Sequence, residues 1–385
     1  MCHTPANRST RPTFPRVACL TRTGFLPAAV PRFGKLAPFR YTKNMAMSAY
    51  EHWIRRYEHR RWTTDDNRMV RPFDWGLEHI GGAPSDSAEP RAFVRQYASK
   101  ATENSELWYA LEEVRDYRLD RENVLAFTSP ATSPWPENNT VYGQFFPARK
   151  QGPAVLVLPN WNAKWHGQVA LCHWLQRMGI SALKMSLPYH DRRMAAGHER
   201  ADQLVGPNIG LTLVANRQAV KDARACLDWL EQRGYMRLGI LGTSIGSSVG
   251  YITLVHDKRV RAGGFFHVST YFADVVSQGM TTNHVWEGLR HEVTVEELRD
   301  FWAPISPMPY VERGMGAARN TFMVYGKYDP TFLPELTHQM LGALRRHGAE
   351  TRTLELPVGH YSLELRPFSY IAGWRMFTYF LEALG

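Results

Sequence analysis

The 385-residue chain has only four cysteines, Cys2, Cys19, Cys172 and Cys226, and none forms a Cys-x-x-Cys spacing. A disulfide-stapled scaffold is therefore excluded, and a reducing compartment fits. Acidic residues are missing altogether from residues 1–50, which carry eight Lys or Arg. That block accounts for most of the formal net charge of +10, because the remainder holds 38 basic against 36 acidic residues. A nearly neutral body excludes the broad basic surface that nucleic-acid binding needs. Long apolar runs are missing too. The longest charge-free run, residues 238–255, contains four glycines, three serines and two threonines, so no transmembrane segment is expected.

The acid-free leader has six prolines, two serines and no apolar stretch that would serve as a signal-peptide core. Residues 1–47 are expected to be a disordered leader or a non-native start, with Met45 and Met47 as later starts. The expected location is cytoplasmic; a mitochondrial transit peptide is the alternative for the same basic, acid-free segment.

What is present is ordinary for a globular enzyme: 44% hydrophobic and 21% charged residues, with aromatics at 12% suggesting a deep core or an apolar pocket. From Ser48 the pattern turns helical, with Tyr50, Trp53, Ile54 and Tyr57 at i, i+3, i+4 and i+7. A Pro/Gly/Ser-rich joint at 81–90 precedes a second helix over 89–114. Residues 48–120 therefore read as a helical N-terminal extension, docked on the main domain or forming a homodimer contact. From Val124 strands and helices alternate. "VLAF" and "TVYGQFF" open as an antiparallel pair, "PAVLVLP" is apolar throughout like a strand buried on both faces, and further β-α units follow to a C-terminal helix near 368–384. The expectation is an α/β domain over 121–385 with a doubly wound, mostly parallel sheet. Its ligands belong beyond the carboxyl ends of the strands.

Within "LGILGTSIGSSVGY", residues 238–251, a Gly-x-Ser-x-Gly match places Ser244 between Gly242 and Gly246, after a strand and before a helix. Small flanking residues are what a strained strand-to-helix turn needs if it is to expose one hydroxyl; a plain glycine-rich turn is the alternative. A serine hydroxyl needs a base and an anion to orient that base. "FMVYGKYDP" puts Asp329 just after an apolar strand, and "LELPVGHYS" puts His360 just after the last one. The order Ser244, Asp329, His360 is the order this architecture requires.

On "GTSIG", "KYDP" and "VGHYS", residues 120–385 resemble the α/β-hydrolase-fold superfamily. The resemblance implies an eight-stranded sheet, a nucleophile elbow, no cofactor, no metal, and an oxyanion hole of two backbone N–H groups. One would be that of Ile245. The other would come from the loop "PNWNAKWHG", where the family's usual glycine is absent and Trp161 or Asn160 is the candidate. "SLPYHDRR" is similar to a Pro-Tyr-x-x-Arg signature of a poorly characterised branch of that family.

The insertion at 270–318 lies where this family places its cap. Its Trp286 and Trp302 either line an acyl pocket or pack the cap onto the body. His267, at a strand end, is a pocket candidate. Arg192 and Arg193 either bind an anionic part of the substrate or are simply solvated. His190, Asp191 and His198, or His284 and His291, offer metal-ligand types without a recognised ligand spacing, so no metal is expected. The leading expectation is a serine hydrolase that cleaves a carboxylic ester or thioester of a small-molecule acyl substrate through an acyl-enzyme. A non-catalytic scaffold on the same fold and an acyltransferase using the same residues are the alternatives.

Overall fold

The apolar runs pair into one nine-stranded sheet of order β1-β2-β3-β5-β4-β6-β7-β8-β9. The strands are β1 (Arg118–Leu119), β2 (Val124–Thr128), β3 (Thr140–Phe146), β4 (Ala154–Leu158), β5 (Ser181–Met185), β6 (Leu238–Thr243), β7 (Val260–Phe266), β8 (Asn320–Gly326) and β9 (Thr351–Leu356). This computed structural model describes residues 48–82, 89–313, 320–349 and 351–385, so the expected leader lies outside the described residues. β2 and β3 are antiparallel, β3 is antiparallel to β5, and every pairing from β5 through β4 to β9 is parallel. The ninth strand, beyond the eight expected, is the edge strand β1. Its two residues pair antiparallel with β2 and are too short to carry a periodic signal.

Every residue of β4 and of β5 is buried; β4 is apolar throughout, whereas β5 also buries Ser181, whose Oγ accepts from Ala148 N, and Lys184, whose Nζ donates to Gln144 Oε1 and Trp165 O. The two faces of the sheet feed separate cores. Val155 and Val157 pack with Phe377 and Phe380 of the C-terminal helix α12 (Phe368–Leu384). Ala154, Leu156 and Leu158 belong to the opposite core, with Leu213 and Leu227 of α5 (Ile209–Gln232) and Val249 and Ile252 of α6 (Ile245–His256).

Helix α1 (Ala49–Thr63) starts at Ser48, whose Oγ accepts from Glu51 N at 3.1 Å. It buries Ile54 and Glu58, whereas Trp53 of the expected apolar stripe is half exposed. The helix expected over 89–114 ends earlier. α2 (Pro90–Glu103) stops at Asn104, α3 (Ser105–Trp108) adds one turn, and the chain then runs to β1 without helix. Between β7 and β8 the described residues form four short α-helices, α7 (Phe272–Gln278), α8 (Asn283–Leu289), α9 (Val295–Phe301) and α10 (Met308–Glu312), with 3-10 turns at Met280–Thr282 and Ala303–Ile305. Between β8 and β9 runs α11 (Pro334–Arg346). No helix among the described residues is long and apolar enough to cross a membrane.

Candidate active site

Ser244 is held on a strained turn between β6 and α6. Its backbone has φ 58° and ψ −122°, a region that side-chain-bearing residues rarely adopt. The neighbouring glycines are forced by close backbone approach. A Cβ at Gly242 would stand 2.3 Å from Gly246 O, and one at Gly246 would stand 2.3 Å from Leu158 O. The strain is pinned from β7, whose Phe266 O accepts from Ser244 N at 2.9 Å and from Ser247 Oγ at 2.6 Å. The turn thus lifts one hydroxyl at the carboxyl edge of the sheet. Ile245 N, the first N–H of α6, lies at the positive end of that helix.

The turn after β8 carries Asp329. Its Oδ1 accepts from Thr331 N at 2.7 Å and Phe332 N at 2.8 Å, leaving Oδ2 to face two imidazoles. His360 Nδ1 lies 3.1 Å from Oδ2 in a hydrogen bond. His267 Nδ1, at the end of β7, lies 2.7 Å from the same oxygen but is not aligned as a hydrogen bond, and no other described group satisfies it. Burial opposes ionisation of Asp329, yet the charges of His360 and His267, together with the His360 hydrogen bond, outweigh it and hold the carboxyl well below the usual range. For His360, burial favours the neutral ring, but Asp329 and, more weakly, Glu58 and Glu364 pull its pKa above 6.5. Burial and the neighbouring His360 push His267 down. With Nδ1 committed to Asp329, Nε2 is the His360 nitrogen left to handle a substrate proton.

A cavity of about 440 Å³ is lined by Thr243, His267, His360, Asn160 and Trp161, and across from them by Arg61 of α1 and Arg68 just after it. A second, apolar cavity of about 30 Å³ lies beside Ile245, between Trp161, Phe272, Val276 and Phe332. Ser244 sits in sequence between Thr243 of the first and Ile245 of the second, and Trp161 lines both. The loop after β4 that holds Asn160 and Trp161 is anchored by His190. His190 Nε2 accepts from Asn162 N at 2.8 Å, and its Nδ1–H donates to Pro188 O at 2.8 Å. Burial pushes this imidazole down to about 4, so it stays neutral and fixed. Both of its nitrogens are therefore committed, which removes it from the metal set considered with Asp191 and His198. Among the described residues, His267, Asp329 and His360 do bring ligand-type atoms within 4.8 Å of one another. In that cluster one carboxylate oxygen, Asp329 Oδ2, is shared by the two imidazoles.

Four of the residues expected near substrate are placed elsewhere. Arg193 is fully buried, bonded to Asp222 Oδ2 at 2.7 Å and to Asn138 O at 2.8 Å; it braces the interior under "SLPYHDRR" and lines neither cavity of the site. Arg192 is exposed and lies over the Trp165 ring, 4.6 Å from its centroid, and lines neither cavity of the site. Trp302 is wholly buried, packed edge-on to Phe272 with its Nε1–H donating to Ile209 O at 3.3 Å, so it belongs to the core. Trp286 lines a different cavity, with Arg91 and Glu297. Residue type alone marks these four as candidates; the direction in which each side chain points excludes them.

Sequence reasoning missed Glu58, and it took His190 as a ligand type rather than as the anchor of the loop after β4. Glu58 of α1 accepts from Tyr361 N at 2.9 Å and Ser362 N at 2.8 Å, across 303 and 304 residues. The one available signal was its place four residues after Ile54 on the inward face.

Comparison with known proteins follows from this geometry. The sequence model described as the prolyl oligopeptidase family matches residues 213–363, a segment that contains Ser244, Asp329 and His360. Comparison with curated proteins finds no match. Among solved structures, acylaminoacyl peptidase from Pyrococcus horikoshii superposes with a TM-score of 0.51 at 11% identity, covering 70% of this chain and 49% of that one. A puromycin-hydrolyzing peptidase from Mycobacterium tuberculosis superposes with a TM-score of 0.52 at 14% identity, covering 69% of this chain and 40% of that one. The chain thus spans half or less of the length of those two proteins, and likeness at such identities establishes the fold.

Proposed function

We propose that this chain, which has an α/β-hydrolase fold, is a serine hydrolase cleaving a carboxylic ester or thioester through an acyl-enzyme. Ser244 Oγ attacks the carbonyl carbon while His360 Nε2 takes its proton. The same imidazole then returns that proton to the leaving group, and a water repeats the sequence to release the acid. Asp329 keeps the proton of the neutral ring on Nδ1 and stabilises the imidazolium. The N–H groups of Ile245 and of Trp161 or Asn160 receive the oxyanion, each worth about 3 kcal/mol in the transition state. The observation that carries this reading is the 3.1 Å contact between Asp329 Oδ2 and His360 Nδ1, together with a serine held at positive φ on the turn after β6. The small apolar cavity beside Ile245 supports a short acyl group, and the larger polar cavity has room for the leaving group.

The family match favours a second reading, hydrolysis of an amide or peptide bond by the same residues. A panel of p-nitrophenyl esters of increasing chain length, run beside the matching p-nitroanilides, separates the two. The ester reading expects turnover of the short esters at rates far above the anilides. Ser244→Ala should abolish it by about 10⁶-fold. Anilide turnover equal to or above that of the esters would replace this reading with the peptidase one. Full activity in a folded Ser244→Ala protein would overturn both.

A further inference from the structure

A deeply buried acid that this chemistry leaves unused is on the N-terminal helix. Glu58 is 1% exposed, and both of its carboxylate oxygens are spent on the turn that carries His360. Oε2 accepts from Tyr361 N at 2.9 Å and Oε1 from Ser362 N at 2.8 Å, the two residues directly after the histidine. The other end of the turn is closed by Ser362 Oγ, which accepts from Gly359 N at 2.7 Å. Gly359 itself packs so closely that a Cβ there would stand 2.5 Å from the Glu58 carboxyl carbon. A carboxylate is thus inserted under the turn that carries the imidazole, and the glycine at 359 leaves room for it.

We propose that Glu58 is a positioning residue for His360: it fixes the 359–362 turn and places a second carboxylate near the imidazole, so that helix α1 is part of the catalytic unit. The proposal rests on the Ser244–His360–Asp329 reading. Two separable effects follow from it. The bidentate grip sets where the ring stands, and a misplacement of a catalytic group by about 1 Å costs on the order of 10²-fold in rate. The charge favours the imidazolium that forms when Ser244 is deprotonated.

The groups facing His360 are Asp329 and the Phe332 ring from the turn after β8, His267 from β7, Tyr361 and Glu364 from its own segment, and Glu58 from α1. Arg68 reaches the Tyr361 hydroxyl at 3.3 Å, and the Arg61 guanidinium lies 5.9 Å from the centroid of the Tyr361 ring. Burial lowers the His360 pKa, whereas the charges of Asp329, Glu58 and Glu364 raise it. Loss of the Glu58 charge therefore moves the ring towards a lower pKa, and the acid limb of kcat/KM, which reports neutral His360, moves to lower pH with it.

The test titrates the His360 ring by NMR in the full-length wild type, Glu58→Gln and Glu58→Asp, with His360→Gln to assign the signal. Glu58→Gln should lower the ring pKa, because one nearby negative charge is lost. The acid limb should shift by the same amount, and kcat should fall at least tenfold. Glu58→Asp keeps the charge but is one methylene too short to hold both N–H groups, so its ring pKa should stay near wild type while kcat falls. An unmoved pKa and limb in Glu58→Gln, with activity lost only in proportion to folded protein, would overturn the proposal. Should Glu58→Gln fail to fold, amide exchange in the wild type decides: Tyr361 and Ser362 should be protected to the level of the sheet, and free exchange would refute the grip. A wild type without turnover on any acyl substrate would instead defeat the hydrolase reading, and the NMR titration would still report on Glu58.

Discussion

Asp329→Asn separates chemistry from folding better than any other single change in this molecule. The two backbone N–H groups of Thr331 and Phe332 bond to Oδ1, at 2.7 and 2.8 Å, and the amide oxygen of Asn can keep both. What changes is the other arm. An NH₂ group replaces Oδ2, which lies 3.1 Å from His360 Nδ1 and 2.7 Å from His267 Nδ1. A donor facing Nδ1 drives the His360 proton onto Nε2, the nitrogen that has to accept the serine proton, and the imidazolium also loses its counter-charge. Loss of the correct tautomer together with that charge costs about 10⁴-fold in kcat, or about 5.5 kcal/mol in the barrier. Because Asp329 is the main group holding the His360 pKa above 6.5, the acid limb of the residual activity should also move to lower pH. Stopped-flow and steady-state assays on a short p-nitrophenyl ester from pH 5 to 9, beside a thermal melt, measure both. A variant that melts within a few degrees of wild type yet keeps more than a tenth of its kcat would refute the role given to this carboxylate.

Three further outcomes are expected. Gly246→Ala sets a Cβ 2.3 Å from Leu158 O and should destabilise by about 3 kcal/mol or more. Gly342→Ala in α11 meets only Arg346 at 3.6 Å and should stabilise by about 0.5–1 kcal/mol; urea titration of both variants checks the contrast. Asp222→Ala leaves the wholly buried Arg193 without its partner at 2.7 Å and should cost about 3–5 kcal/mol, measured the same way, with a loss under 1 kcal/mol counting against the brace. His190, His256 and His284 are buried and pushed down from 6.5 to about 4, 4 and 3, so the unfolded chain binds more protons than the native one below 6.5. Their contribution is complete above pH 6.5 and is lost as pH falls towards 4. The raised His360 acts in the opposite sense: its stabilisation is present below 6.5 and is lost as pH rises through its folded value. Urea midpoints from pH 7 to 4.5 should drop, and a flat profile would contradict the three neutral imidazoles.

Local pattern carried far into this fold. The elbow was legible because Gly242, Ser244 and Gly246 answer to one geometric demand within five residues. Strand β4 was legible because burial on both faces writes an unbroken apolar run. The short edge strand β1 left no such trace, since two residues have no period. Helix propensity ran past Asn104 because nothing in the spacing of apolar residues reports a broken cap. Side-chain direction was the larger gap: Trp302 and Arg193 have the chemistry of pocket residues, and only packing shows that one fills the core and the other pairs with Asp222. Glu58 and His190 act on turns far away in sequence, 303 residues away in the case of Glu58 and Tyr361, and no one-chain pattern encodes such a contact.

The central claim is that Ser244 is an activated nucleophile. The direct measurement is labelling of the full-length protein with a fluorophosphonate probe, followed by peptide mass mapping. The account predicts one adduct per chain on the peptide containing Ser244, absent from Ser244→Ala and formed more slowly as pH falls below the His360 pKa. A folded protein that takes up no probe, or carries it on another residue, would contradict it.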